Sequence, residues 1–273
     1  MTTSGEDPAP GRDALAGRDA LAGRDALAGR VALAGRVALI TGASGGIGQA
    51  LGRRLAAGGA RLALGYGASA EPAERLAAEI SAAGGQAVAL RADLRGPHAP
   101  GALIEGAEEA LGPVDILVSN AGLGRRQALA EVSVSDFDDM MAVNLRAPFL
   151  LAQRLAPGMQ DRGFGRLLFI SSVAAFTGGM VGPHYAASKA GLHGMAHYLA
   201  ARLASYGVTV NTLAPALISG TTMLPGDPEE LRARIPAGRL GQPEEVADLA
   251  AAILANGYLT NQVISLDGGM YPR

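Results

Sequence analysis

Between residues 37 and 266, short apolar runs alternate with alanine-rich stretches of helical length, and this alternation restricts the chain to one broad architecture. Strands are predicted at Val37–Thr41, Arg61–Gly65, Ala87–Leu90, Val114–Ser119, Leu167–Ser171, Thr209–Leu213 and Val263–Leu266. Helices are predicted over 46–58, 71–83, 99–111, 136–160, 185–206, 228–235 and 243–255. A strand followed by such a helix cannot return as a hairpin. The next strand runs parallel to it, after a right-handed crossover that lays the helix on the sheet. The strand segments are nearly unbroken hydrophobic runs, as expected when both sheet faces are covered. The expectation is an α/β chain built on one doubly wound parallel sheet of about seven strands, a single domain over 35–273.

Ahead of that domain lies a hexapeptide repeat. GRDALA occurs at 11–16, 17–22 and 23–28, followed by GRVALA at 29–34 and GRVALI at 35–40. A period of six does not match the helical period, so the leucines at 15, 21, 27 and 33 would walk around a helix instead of forming a buried stripe. Alanine-rich copies without stackable large residues also make a poor β-helix core. Residues 1–34 are therefore predicted to be a low-complexity, disordered extension, a duplicated copy of the segment that encodes the first strand.

The composition excludes several function classes. Hydrophobic residues make up 49% and charged residues 18%, a well-buried balance rather than a disordered one. A net charge of −2 gives no overall field to attract nucleic acid or an anionic membrane. The absence of cysteine removes disulfides, thiolate metal sites and a cysteine nucleophile. His193 and His197 have the spacing of metal ligands on a helix, but no neighbouring Asp or Glu completes a site, so no metal is expected. No apolar run approaches the roughly 18 residues that span a bilayer. The protein is expected to be soluble and cytoplasmic.

Two local patterns carry chemistry. The first is Thr41-Gly42-Ala43-Ser44-Gly45-Gly46-Ile47-Gly48, placed directly between the first predicted strand and the first helix. Glycines let the backbone turn sharply and approach a pyrophosphate, and the helix N-terminus offers free amides to it. The turn could be only a tight loop, but at this position in an α/β chain it points to a Rossmann-type dinucleotide site.

The second pattern is Tyr185-Ala186-Ala187-Ser188-Lys189. Lys189 is the single lysine among 23 basic residues, and it stands one helical turn after a tyrosine. Both side chains leave the same helix face. A compact ammonium that shifts easily in pKa does what a guanidinium cannot. A free phenol, with a pKa of about 10, is a poor acid near neutrality. A nearby ammonium is expected to favour its deprotonated form.

These motifs, taken together, resemble the short-chain dehydrogenase/reductase family. The resemblance covers about 35–273. It rests on the TGxxxGxG turn, on Ser119-Asn120-Ala121-Gly122 after the fourth strand, on Asn144 in the following long helix and on Ser172 thirteen residues before Tyr185. Pro215 after the sixth strand and Asp267-Gly268-Gly269 after the seventh complete it. The resemblance implies Tyr185 as proton donor, Ser172 as hydrogen-bond partner of the substrate oxygen, and Lys189 as holder of the ribose and tuner of Tyr185. It implies Asn144 as anchor of a water that links Lys189 to solvent. It further implies a cofactor site made by Gly42, Ser44, Gly45, Gly46, Ile47, Gly48, Tyr66, Asp93, Leu94, Asn120, Ala121, Gly122, Tyr185, Lys189, Pro215 and Ile218, with Asp93 at the adenine and Pro215 and Ile218 beside the nicotinamide amide. Ser119 replaces the family's first Asn, and Pro215-Ala216 replaces its usual Pro-Gly.

The second predicted strand ends Leu64-Gly65-Tyr66-Gly67-Ala68-Ser69 with no acid to bind the ribose hydroxyls of NAD(H). Gly45 and Gly67 also lack the basic residue common in NADP users. NADP(H) is favoured, with NAD(H) possible. The expected substrate wall is Leu123, Phe176, Met180, Val181, His184, Leu217 and Met223, mostly apolar, under a lid over 219–236. The C-terminal half is most similar to 3-oxoacyl-[acyl-carrier-protein] reductases and related ketoreductases, in fatty acid or polyketide biosynthesis. This implies an acyl-thioester substrate, an acidic acyl carrier protein met by Arg125, Arg126, Arg146 or Arg154, and a homotetramer built on the helices at 136–160 and 185–206. Two alternatives stay open: an NAD(P)-dependent alcohol dehydrogenase or tailoring ketoreductase acting on a free small molecule, and a non-catalytic dinucleotide-binding regulator.

Overall fold

A computed structural model describes residues 33–221, 224 and 226–271. The predicted extension over 1–34 lies outside these residues except for its last two positions, and Met223 of the expected substrate wall also lies outside them. Leu33, within the predicted extension, is buried and packs in the cluster below the first helix.

The strands are β1 (Val37–Thr41), β2 (Arg61–Tyr66), β3 (Ala87–Arg91), β4 (Ile116–Ser119), β5 (Gly165–Ile170), β6 (Val208–Pro215) and β7 (Val263–Leu266). All pair in parallel, in the order β3-β2-β1-β4-β5-β6-β7. The order reverses at β1, and the crevice between the C-terminal ends of β1 and β4 is where such sheets bind ligands. The helices are α1 (Gly46–Ala57), α2 (Ala70–Ala82), α3 (Ala99–Leu111), α4 (Val134–Met141), α5 (Ala147–Asp161), α6 (Ala174–Thr177), α7 (Pro183–Leu203), α8 (Pro228–Arg232) and α9 (Pro243–Ala255).

The unbroken apolar strands have the predicted cause. One face packs Leu51 and Leu55 of α1, Leu76 and Ile80 of α2, and Val246 and Leu254 of α9 against Ile40, Leu62 and Leu64. The other packs Leu103 of α3, Leu151 and Leu155 of α5, and Leu192 and Leu203 of α7 against Leu39, Leu117 and Phe169. β1, β4 and β5 are buried along their whole length.

One predicted element differs in kind. The helix expected over 136–160 is broken by a π-helical turn, Ala142–Arg146, between α4 and α5. A π turn admits one extra residue and aims its side chain off the regular stripe. Asn144 sits in that turn and is 1% exposed.

Candidate active site

At the C-terminal edge of the sheet the chain ties β1 to β4. The Thr41 hydroxyl, buried at the end of β1, accepts from the backbone N–H of Asn120 and of Ala121, both at 3.0 Å. The Asn120 amide donates back to the carbonyls of Thr41 and Gly42 at 3.0 and 3.2 Å. Thr41 was legible only as the first letter of the glycine motif; its role as a clamp on the β4 loop needed the fold.

The glycine turn fits a dinucleotide. Gly42 has φ 69°, and a Cβ there would lie 2.8 Å from the Ala121 Cα. A Cβ on Gly48 would lie 2.2 Å from the Gly42 carbonyl oxygen. These two glycines let the turn close on itself and on the β4 loop. Gly45 is exposed, with nothing nearer than 3.6 Å to its missing Cβ. The first turn of α1 has no acidic residue and no side-chain cap, so its amides remain as donors for phosphate. Gly46 instead meets the lid base, where a Cβ would lie 2.8 Å from the Gly220 carbonyl oxygen.

Two cavities flank this turn. One, of about 380 Å³, is lined by Gly42, Ser44, Tyr66, Asp93, Leu94, Ala121, Gly122 and Leu123, together with Gly67, Ser69, Arg91 and Arg95. The other, of about 370 Å³, is lined by Ile47, Asn120, Ser172, Tyr185, Lys189, Pro215 and Ile218, together with Thr177, Met180, Val181, Leu217, Leu224, Arg234, Met270 and Tyr271. Asn120 and Ala121 thus place consecutive residues in the two cavities. Gly45, Gly46 and Gly48 line neither; they shape the turn between them. Of the expected substrate wall, Met180, Val181 and Leu217 line the second cavity, whereas Leu123 belongs to the first. His184 is 1% exposed, and neither of its ring nitrogens has a hydrogen-bond partner among the described residues. Phe176 packs on the His193 ring, centroids 4.7 Å apart. Leu224, Arg234, Met270 and Tyr271 reach the cavity from distant parts of the chain, and no local pattern marks them.

Around the tyrosine, hydrogen bonds fix the geometry. Ser188 Oγ donates to the Tyr185 carbonyl at 2.7 Å. Asn144 Nδ2 donates to Ser188 Oγ at 3.1 Å and to the Leu123 carbonyl at 2.9 Å, while Oδ1 accepts from the Leu123 N–H at 2.7 Å. Asn144 therefore clips the β4 loop to α7 through Ser188, and its side chain bonds Ser188 rather than Lys189. Lys189 is 3% exposed and its Nζ donates to the Ile170 carbonyl at 2.9 Å. That Nζ lies 5.8 Å from the centroid of the Tyr185 ring.

The proton affinities correct one expectation. From sequence, Lys189 was to make the phenol acidic. Burial instead raises the Tyr185 pKa, and the interaction that opposes this is a hydrogen bond with Ser172. Burial also lowers the Lys189 pKa, to about 8. Desolvation dominates both groups. The adenosine end shows a second difference: the Asp93 carboxylate, expected free for an adenine, is held by Arg95, with Nε and Nη2 at 3.0 and 2.6 Å. That pairing holds the Asp93 pKa down at about 2.

The histidines with metal-ligand spacing point elsewhere. His193 Nε2 lies 2.9 Å from Ser171 Oγ, and His197 Nδ1 lies 2.6 Å from the Asn261 side chain. Among the arginines expected at a carrier surface, Arg125 pairs with Asp136, Arg146 with the Arg95 carbonyl and Arg154 with Glu105. Arg126 makes no hydrogen bond or ion pair among the described residues, and it lines a shallow recess with Met180, Glu230 and Arg234. No helix among the described residues is long and apolar enough to cross a membrane.

Comparison with known proteins agrees with this geometry. Residues 36–231 match the family model for short chain dehydrogenase. The chain is 37% identical over 235 residues to a 3-oxoacyl-[acyl-carrier-protein] reductase of Synechocystis sp., covering 85% of this chain and 95% of that protein. Among solved structures, a blue fluorescent protein from a metagenomic library in complex with NADPH superposes with a TM-score of 0.82 at 38% identity, covering 88% of this chain and 99% of that one. A 3-ketoacyl-(acyl-carrier-protein) reductase from Brucella melitensis complexed with NADH superposes with a TM-score of 0.80 at 33% identity, covering 87% and 99%. The chain belongs to the short-chain dehydrogenase/reductase family of NAD(P)-dependent oxidoreductases.

Proposed function

We propose that the protein reduces a 3-oxoacyl thioester to the 3-hydroxyacyl product with NADPH. The observation that carries this is the second cavity, in which Ser172, Tyr185 and Lys189 share one mostly apolar chamber with the residues expected beside a nicotinamide. The similarity to acyl-carrier-protein reductases supports the thioester, and a relative bound to NADPH supports the phosphorylated cofactor.

Asn120, Pro215 and Ile218 would hold the nicotinamide end, and Lys189 the ribose beside it. A bound nicotinamide supplies the hydride. The Ser172 hydroxyl hydrogen-bonds the substrate oxygen and steadies the charge that develops there. Tyr185, a phenol whose pKa burial raises, gives its phenolic proton to that oxygen, which suits the reductive direction. Lys189, with a pKa of about 8, resupplies charge and protons near the phenol at physiological pH. Asn144 and Ser188 hold α7 and the β4 loop in register for this. Met180, Val181, Leu217 and Leu224 receive the acyl portion and exclude water.

A panel of acetoacetyl thioesters, free ketones and secondary alcohols, assayed with NADPH, tests the substrate class. Thioester reduction should show the highest kcat/KM; a preference for free ketones or alcohols would favour the alternative dehydrogenase. Tyr185→Phe should lose nearly all turnover, on the order of a thousandfold, while still binding cofactor. Near-full activity in that variant would remove the proton-donor assignment.

Arg126 and Arg234, which line a recess that shares Met180 and Arg234 with the second cavity, suit an acidic carrier protein. Phe137 and Phe149 on α4 and α5 and Tyr198 on α7 are exposed apolar positions on the helices expected to build a homotetramer. Light scattering should give four times the 27.5 kDa chain mass; a monomer would refute the assembly.

A further inference from the structure

We infer that Arg91, at the C-terminal end of the edge strand β3, is the cation that recognises the 2′-phosphate of the cofactor, in place of the basic residue that positions 45 and 67 lack. The inference rests on the NADPH reading above and names the residue responsible for it.

The position follows from register. Tyr66 pairs with Arg91 across β2 and β3. Paired residues in neighbouring strands point to the same sheet face, and that face repeats every second residue. Leu62 and Leu64, four and two residues before Tyr66, pack with the α1 and α2 cluster, as does Ala87, four residues before Arg91. Val88 and Leu90 pack on the opposite face. Tyr66 and Arg91 therefore lie side by side on the α1–α2 face, at the end of the sheet where the glycine turn enters α1. A ribose 2′ substituent in this fold is read by the residues about twenty positions after the glycines, here around 66–69. Arg91 and these residues line one cavity.

The space and the charge agree. A Cβ on Gly67 would meet nothing within 4 Å, so the turn after β2 leaves room for a phosphate. Ser69, the N-cap of α2, makes no side-chain cap bond. Arg91 makes no hydrogen bond or ion pair among the described residues. Asp93, the acid that lines the same cavity and feels the Arg91 charge, is already engaged by Arg95 through both carboxylate oxygens. A guanidinium without a direct partner, in a cavity with hydroxyls and no free carboxylate, is suited to a phosphate it can bind in bidentate fashion.

The test measures the affinities of NADPH and NADH for the full-length protein, its Arg91→Ser variant and its Arg91→Lys variant. The expected result is that wild type binds NADPH more tightly than NADH, and that Arg91→Ser weakens NADPH binding about ten- to a hundredfold with NADH unchanged. Arg91→Lys should fall between. An unchanged NADPH-to-NADH ratio in Arg91→Ser would overturn the inference and leave the NADPH reading standing, as would an equal loss for both cofactors, which is the mark of a structural role. A wild type that binds both equally overturns it while keeping dinucleotide binding. A wild type that binds neither removes the functional reading itself.

Discussion

The two ends of strand β5 each bury a cation without a carboxylate partner among the described residues, and they do so in opposite ways. At the first end, Arg166 gives Nε to the Leu254 carbonyl at 3.0 Å, and Nη1 to the carbonyls of Gly165 and Gly207 at 2.8 and 3.1 Å. Its guanidinium also lies over the Phe164 ring, 4.3 Å from the centroid. At the other end, Lys189 gives one bond, to Ile170, the last residue of the strand. An ammonium has three donors. Arg166 gives three bonds to backbone carbonyls and lines no cavity described above, whereas Lys189 gives one and keeps bonding capacity for whatever enters the cavity it lines.

Exchanging each cation for an apolar residue tests that contrast. Lys189→Met should lower turnover by roughly a hundred- to ten-thousandfold. Its melting temperature should stay level or rise, because a charge desolvated from 10.5 to about 8 costs the folded state roughly 3 kcal/mol at neutral pH. A lower melting temperature would mean that Lys189 is structural. Arg166→Met should do the reverse. Turnover should be nearly unchanged, but three carbonyls, those of Gly165 and Leu254 in buried residues and that of Gly207 in an exposed one, would lose this donor, at roughly 3 kcal/mol. For a chain of this size that is about 5–10 °C in Tm. Full stability in this variant would break the comparison.

A smaller effect comes from pH. Because the Lys189 pKa is lower in the folded than in the unfolded chain, the unfolded chain binds more protons between about 8 and 10.5. The cost of burial is therefore complete below pH 8 and is relieved as pH rises towards 10.5. The difference in Tm between Lys189→Met and wild type, measured across that range, should shrink steadily; a constant difference would show that Lys189 is not the group responsible.

Much of this was legible from local pattern. The strands were found because burial on both faces leaves no polar alternation, and the glycine turn because only glycine permits the contacts that Gly42 and Gly48 make. Tyr185 and Lys189 were found because helical spacing places them together. Other features had no local signature. The π turn at Asn144 reads as continuous helix, since its cause is the tertiary demand that one amide reach both Leu123 and Ser188. The cavity walls from Leu224, Met270 and Tyr271 depend on chain segments far from the tyrosine meeting it in space. Asp93 was expected at the adenine, and its pairing with Arg95 emerged only in the fold.

The amino-acid order alone determined the sheet and its parallel winding, because those follow from the alternation of unbroken apolar runs with segments of helical length. The balance of proton affinity at Tyr185 was decided only by the folded chain. Spacing along a helix shows that an ammonium and a phenol are neighbours, but desolvation depends on everything packed around them, and burial raises the phenol's pKa against the opposing hydrogen bond with Ser172.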